Sequence, residues 1–405
     1  MSIKPNHFTN RFMISIIIGL IVLLFPWFLH GLQWPDIIAT QLGHCPKQNC
    51  DFLNHYLPQA QKIHQGDLEL QEGWFYPPTL AIGIETLLVF PTHWISSIWT
   101  GFNLIILCWL IRISYQQLRS KHTKMTSLLW AASLCTTSMP VLSSIKWGQI
   151  SLFIVAICWW DLHKQQRHKF KTSGVGIAIA GSLKGFPMVY LLLPLWRRNP
   201  ITFVRSIATF VVLGLFFPII RIGIDQTLVH YQNMLAAGQA IQQHAPLWGG
   251  QALGPSMVRW FQNGDHMMDA SPPRILAIPD ILYPWLVGSV LIFISVLVLR
   301  KLSHHPAPLV LLFCWLGLLF APGWQHYFCF LPLCMIALWD KTDIRGKSIL
   351  IVAGLLERIP IFGLGWLSHI YYNASAWGTT TIATLLVLSV ALFCVSCSST
   401  KEDVQ

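Results

Sequence analysis

The sequence predicts an all-α, polytopic integral membrane protein, and three observations carry the prediction. Only 11% of the 405 residues are Asp, Glu, Lys or Arg, against about 25% in a soluble protein. Hydrophobic residues make up 54% and the mean hydropathy is +0.54. Apolar stretches recur along the chain with basic clusters between them. The formal charge of +11 follows those clusters, so it marks topology and does not point to nucleic acid as a partner.

The first element is "FMISIIIGLIVLLFPWFL", residues 12–29, which has the roughly 18 apolar residues that a spanning helix needs. No small-x-small cleavage site follows it, so an anchor is expected and not a removed signal. Further apolar stretches lie near 94–113, 126–144, 150–162, 173–196, 201–223, 279–300, 306–322, 324–339, 347–364 and 378–398. They predict ten to twelve crossings within a single domain over residues 1–405.

Orientation follows from the basic clusters. If those at 112–124, 164–171, 197–205, 300–301 and 341–347 are cytoplasmic together with both termini, that face holds 19 of the 27 Lys and Arg residues. Lys47, Lys62, Lys146, Lys184, Arg221, Arg259, Arg274 and Arg358 are the exceptions. The positive-inside rule is then satisfied. It requires residues 79–90, "TLAIGIETLLVF", to be a short interfacial helix, since the stretch is only 12 residues between Pro78 and Pro91 and carries Glu85. Basic clusters flank both ends of 173–196, so two short helices are expected there, broken at Lys184-Gly185-Phe186-Pro187 where Pro187 removes a backbone donor. The outer face then collects the loop 34–74, residues 146–149, Lys184, the loop 225–278, residues 323–327 and the loop near 368–377, and 399–405 form a cytoplasmic tail.

Several side chains on that face could carry chemistry. Asp51 shares its loop with Asp36, Asp67, Glu69 and Glu72. It is either a solvated acid or a carboxylate that Phe52 and Tyr56 press onto the membrane surface, where partial desolvation makes it a better base. Cys45 and Cys50 could pair in an oxidising compartment or remain thiols in a reducing one. The other eight cysteines read as small apolar residues. Lys184 and Lys146 either snorkel to the interface or neutralise a phosphate at headgroup depth. His326, after a Pro-Gly break and beside aromatics, is either a packed interfacial side chain or a functional one, and Arg259 either a loop cation or an anion contact approached by glycines. Nucleotide loops, zinc motifs, serine-nucleophile elbows and D-x-D pairs are missing from the sequence, so neither a metal nor a cofactor is expected.

Six short motifs in chain order resemble glycosyltransferase family 87, the polyprenol-phosphate-mannose-dependent mannosyltransferases of the GT-C superfamily. They are Asp51-Phe52 with Tyr56, Tyr76-Pro77-Pro78, Trp147-Gly148-Gln149, Leu183-Lys184 with Pro187, Gln251 with Leu253 and Arg259, and Trp324 with His326 and Tyr327. The resemblance implies a GT-C-like bundle and inverting transfer of a hexose, mannose first, from a polyprenyl-phosphate donor to a glycolipid or glycan hydroxyl. Asp51 would be the general base. Lys184, His326, Arg259 and Lys146 would hold the donor phosphate, and Tyr56, Tyr76, Trp147, Gln149, Gln251, Trp324 and Tyr327 would line the substrate site. It also implies a bacterial inner membrane with the site facing outward. This chain departs from the family in having His326-Tyr327 in place of a His-His pair, and in lacking the usual Asn-Gln-Ser pattern around Gln251.

Two other classes fit part of the pattern. A transporter or flippase of lipid-linked sugars also needs intramembrane charge and broken helices, but it usually shows matching halves, and the sequence contains no internal repeat. A non-catalytic membrane scaffold would leave the motif clustering unexplained.

Overall fold

The computed structural model describes residues 49–67, 69–71, 74–119, 122–166, 173–244, 250–261, 278–279, 281–302, 305–319, 323–362 and 377–395. The first expected helix, Asp36, Cys45, Glu72 and the tail lie outside them. Among the described residues the protein is helical throughout, and its one extended pairing is an isolated bridge between Thr342 and Val395. The protein is therefore an all-α polytopic membrane protein.

Each expected apolar stretch among the described residues forms a helix, yet few are full-length spans. Trp94–Leu118, Pro200–Ile222 and Tyr283–Leu302 are long and apolar enough to cross a membrane. Lys124–Thr136 and Met139–Trp147 form a fourth only as a pair bent by 59°. Pro308–Leu319 has 12 residues and rises about 18 Å, short of a hydrocarbon core of about 30 Å. Against the ten to twelve crossings expected, three helices among the described residues, or four with the bent pair, have the length and apolarity to span, and prolines, glycines and internal charges interrupt the other apolar runs.

Burial sorts these helices into a centre and a rim. In Pro308–Leu319 nearly every side chain is buried, as expected of a helix that is apolar all round and packed on every side by protein. Phe313 stacks on Tyr190 at 4.5 Å and lies 5.1 Å from Trp159. Pro200–Ile222 and Tyr283–Leu302 instead expose Val204, Val212, Phe216, Ile220, Trp285, Ile292 and Phe293, the surface that lipid covers.

The short helix expected at 79–90 is present as Pro78–Glu85 followed by a 3₁₀ turn at Thr86–Val89. Pro78 sits in its first turn, where a missing N–H costs nothing. Its end is tied to a neighbouring span by Arg221, whose Nε donates to Glu85 Oε2 at 3.0 Å. The break in 173–196 also falls as expected: Val175–Lys184 ends at Gly185, with φ of 72°, and Pro187 opens the 3₁₀ turn Phe186–Leu191. The segment 225–278 departs from a plain loop, because helices Ile224–His244 and Leu253–Phe261 occupy much of it.

Helix Met139–Trp147 ends in a left-handed cap at Gly148, with Gln149 N–H donating to Ser144 O at 2.8 Å and Gly148 N–H to Ile145 O at 3.2 Å. At Gly148, φ is 67° and an added Cβ would lie 2.9 Å from Phe52 Cβ and 3.0 Å from Asn49 Cα. Gly66 also has positive φ, at 77°, but opens onto free space. Gly148→Ala is therefore expected to lower the thermal midpoint of the detergent-solubilised protein more than Gly66→Ala does. Both carry a left-handed penalty of about 1–2 kcal/mol, and Gly148→Ala adds about 1–3 kcal/mol of overpacking. Equal midpoints would refute the close approach.

Candidate functional site

Asp51 is placed by its own neighbours. Asn49 N–H donates to Lys146 O at 2.8 Å, and its side-chain amide donates to Ser96 O, Ser96 Oγ and Thr100 Oγ1 at 3.1, 3.1 and 2.7 Å. Cys50 is disulfide-bonded; Cys45, its expected partner, lies outside the described residues. From Asp51 the chain enters a π-helical turn, Phe52–Tyr56, a form often found at functional sites.

Phe52 and Tyr56 correct one expectation. They do not press the segment onto a lipid surface but are fully buried inside the protein. Phe52 stacks on Trp99 at 4.4 Å, and Tyr56 meets Tyr76 at 5.0 Å and Trp74 at 5.9 Å edge to face. Stacked and edge-to-face aromatic pairs of this kind add about 0.5–1.5 kcal/mol each beyond the area they bury. Trp99 also donates to Gly148 O at 2.7 Å, which joins the Asp51 segment to the 146–149 turn.

The carboxylate is held by one amide. Gln149 Nε2 donates to Asp51 Oδ2. Gln149 Oε1 in turn accepts from Tyr56 OH at 2.8 Å and from Tyr76 OH at 3.3 Å. With its oxygen occupied by two phenols, the amide must present its NH₂ to Asp51. Burial raises the Asp51 pKa above the usual carboxylate value, while the Gln149 hydrogen bond and the charges of His55, Lys184 and Lys146 pull it back down. The neighbouring acids differ: Asp67 and Glu69 are exposed, and Asp67 pairs with Lys62 at 3.7 Å and accepts from Glu69 N–H at 3.0 Å.

Two lysines act on this carboxylate, and His326 lies near one of them, Lys184. Lys184, at the end of its broken helix, is buried. Its Nζ donates to Ser151 Oγ at 2.9 Å and lies 3.9 Å over the Tyr327 ring and 5.2 Å over Tyr76. Lys146 lies 5.0 Å over Trp147. His326 is buried in the short turn Gln325–Phe328, edge-on to Tyr327 at 4.8 Å. Its Nε2 has no hydrogen-bond partner among the described residues. Trp324 accepts the Tyr327 N–H at 2.8 Å on its carbonyl and so shapes that turn.

Arg259 and Gln251 stand in an adjoining cluster. Arg259 donates to Gly250 O at 2.8 Å and Ser256 Oγ at 3.2 Å. Ser256 Oγ meets Thr381 Oγ1 at 2.7 Å, and Thr381 donates to Gln251 O at 2.6 Å. Gln251 N–H donates to Gly323 O at 2.7 Å, which links this cluster to the turn that carries His326. The structure thus brings Asp51, Gln149, Tyr56, Tyr76, Lys146, Lys184, Tyr327 and His326 together, and sets Arg259 and Gln251 beside them.

Sequence reasoning missed three supporting residues: Ser151, which receives Lys184; Asn49, which anchors the segment; and His230, which accepts from Trp74 Nε1 at 2.9 Å. Ser151 lies two positions past the Trp147-Gly148-Gln149 motif, and that proximity was its one signal. His230 carried none, because it sits on a helix inside the segment read as a loop.

Comparison with known proteins gives the class of the chain: it is a membrane glycosyltransferase. It belongs to glycosyltransferase family 87, whose family model matches residues 74–322, more than half of the chain. Asp51 precedes the matched region, and Trp324, His326 and Tyr327 follow it. No curated protein and no solved structure matches the chain.

Proposed function

We propose that the protein transfers a hexose, mannose first, from a polyprenyl-phosphate donor to a hydroxyl of a glycolipid or glycan at the outer face of a bacterial inner membrane, with both termini cytoplasmic. The observation that carries this reading is the Asp51 carboxylate, fixed by Gln149 and flanked by Lys146 and Lys184. Asp51 takes the proton of the acceptor hydroxyl as its oxygen attacks the anomeric carbon. The bond from that carbon to the phosphate oxygen breaks on the opposite side, which inverts the configuration and releases polyprenyl phosphate.

Lys184 and His326 receive the phosphate whose charge grows as the bond breaks, and Lys146 and Arg259 contribute at its margin. The orphaned His326 Nε2 suits this role as an N–H donor to a phosphate oxygen. Tyr56, Tyr76 and Gln149 act chiefly on Asp51, while Tyr327, Trp147, Trp324 and Gln251 border the substrates. A Cys45–Cys50 bridge would restrict the segment leading into Asp51.

Membranes containing the protein, incubated with a panel of radiolabelled polyprenyl-phosphate sugars, are expected to yield a labelled glycosidic product with at least one hexose donor and none with nucleotide sugars alone. Movement of labelled lipid across vesicles without any new glycosidic bond would replace this reading with transport.

A further inference from the structure

Two charged residues beyond the family match grip the helix that delivers Gln149. Glu357 and Arg358 are neighbours on helix Ile344–Phe362, and they form an ion pair through Glu357 Oε1 and Arg358 NH1. Glu357 is fully buried. Both reach the 59° break between Lys124–Thr136 and Met139–Trp147.

Each charge sits at the helix end that suits it. Arg358 NH2 donates to Leu134 O at 3.0 Å and its Nε to Thr137 Oγ1 at 2.8 Å, at the C-terminus of the first helix, where carbonyls lack intrahelical donors and a cation is favoured. NH1 also donates to Gly354 O at 2.7 Å within its own helix. Glu357 Oε2 accepts from Ser138 Oγ at 3.1 Å. Ser138 is the N-cap of the second helix and does not cap it with its own side chain; the carboxylate lies at the positive end instead.

The second helix has nine residues and extends about 13 Å from this break to Lys146, Trp147 and the Gly148 cap. A change of angle at one end therefore displaces Gln149 and Lys146 at the other. A buried ion pair seldom adds stability over apolar side chains of similar volume, so stability alone is a weak reason for one here. We infer that Glu357 and Arg358 are positioning residues for sugar transfer, setting the bend that brings Gln149 and Lys146 to Asp51. The inference rests on the proposed function for its kinetic test, but not for its spectroscopic one.

The test uses the full-length double variant Glu357→Leu/Arg358→Leu, which leaves no uncompensated charge at the break. The expected result is a fall in kcat of roughly tenfold or more, with a smaller change in KM for the donor. The second readout is the Asp51 titration, taken as the infrared difference between backgrounds carrying Asp51 and Asp51→Asn. Loosening the Gln149 hydrogen bond, which lowers the Asp51 pKa, moves this titration to higher pH. His55, Lys184, Tyr56, Tyr76 and Tyr327 also face Asp51 from elements the variant leaves in place, and withdrawal of Lys146, which likewise lowers the Asp51 pKa, moves the titration the same way. An unshifted titration overturns the inference whether or not a donor has been found, and so does a wild-type kcat. Lack of transfer by the wild type together with a shifted titration would instead sink the transfer reading alone. If the double variant does not accumulate, Arg358→Lys, which keeps the charge but loses the guanidinium fork, carries both readouts.

Discussion

Asp51→Asn is expected to reduce sugar transfer by roughly 10²–10⁴-fold, the usual contribution of a general base, while the protein still assembles in the membrane. The amide oxygen of asparagine can accept from Gln149 Nε2 as the carboxylate does, so the hydrogen bond survives and only the basicity is lost. Asp67→Asn and Glu69→Gln are the controls, because both side chains are exposed; each should leave turnover within about twofold. Equal losses at all three acids would remove the special role of Asp51. The pH profile gives an independent check. Transfer needs the ionised carboxylate, which is populated above its folded pKa, and burial raises that pKa. Activity should therefore be lost, as pH falls, at a higher pH than the ordinary carboxylate value of about 4, and this acidic limb should vanish in Asp51→Asn.

Lys184→Met should reduce kcat by roughly 10²–10³-fold, the loss seen when one preorganised stabiliser of developing charge is removed. The ammonium is buried, with Ser151 Oγ at 2.9 Å and the Tyr327 ring at 3.9 Å. Methionine fills nearly the same volume without a buried charge, so the folded protein should be recovered in wild-type amounts. Lys184→Arg should not restore activity, since the wider guanidinium does not fit the gap between the two tyrosines and Ser151. The readouts are kcat and the inhibition constant of the product, polyprenyl phosphate; the latter should weaken in parallel. Wild-type turnover in Lys184→Met would reduce the lysine to a packing role.

Much of the membrane architecture was legible because it depends on local properties. Run length, proline and glycine placement and charge spacing located the helices, the short element at Pro78–Val89 and the break after Lys184. The number of uninterrupted spans was not legible. Apolar length alone does not show which helices lie inside the bundle, where a 12-residue helix such as Pro308–Leu319 can be covered by protein and need not reach both surfaces. Nor did periodicity reveal helix Ile224–His244, whose polar residues resemble those of a loop.

At the site, the sequence by itself determined which residue types were available: a carboxylate after the first apolar stretch, lysines beside helix breaks, and a histidine in an aromatic turn. Only the tertiary structure decided how they are used. It made Gln149, 98 positions from Asp51, the group that orients the carboxylate. It also moved Phe52 and Tyr56 from an expected lipid surface into the core, set Arg259 against Gly250 O and Ser256 Oγ, and joined Glu357 to Ser138 across 219 positions. The physical reason is range. Hydropathy and backbone preference act within a few turns of helix, whereas a hydrogen bond or ion pair forms only between groups that packing has already brought within about 3 Å.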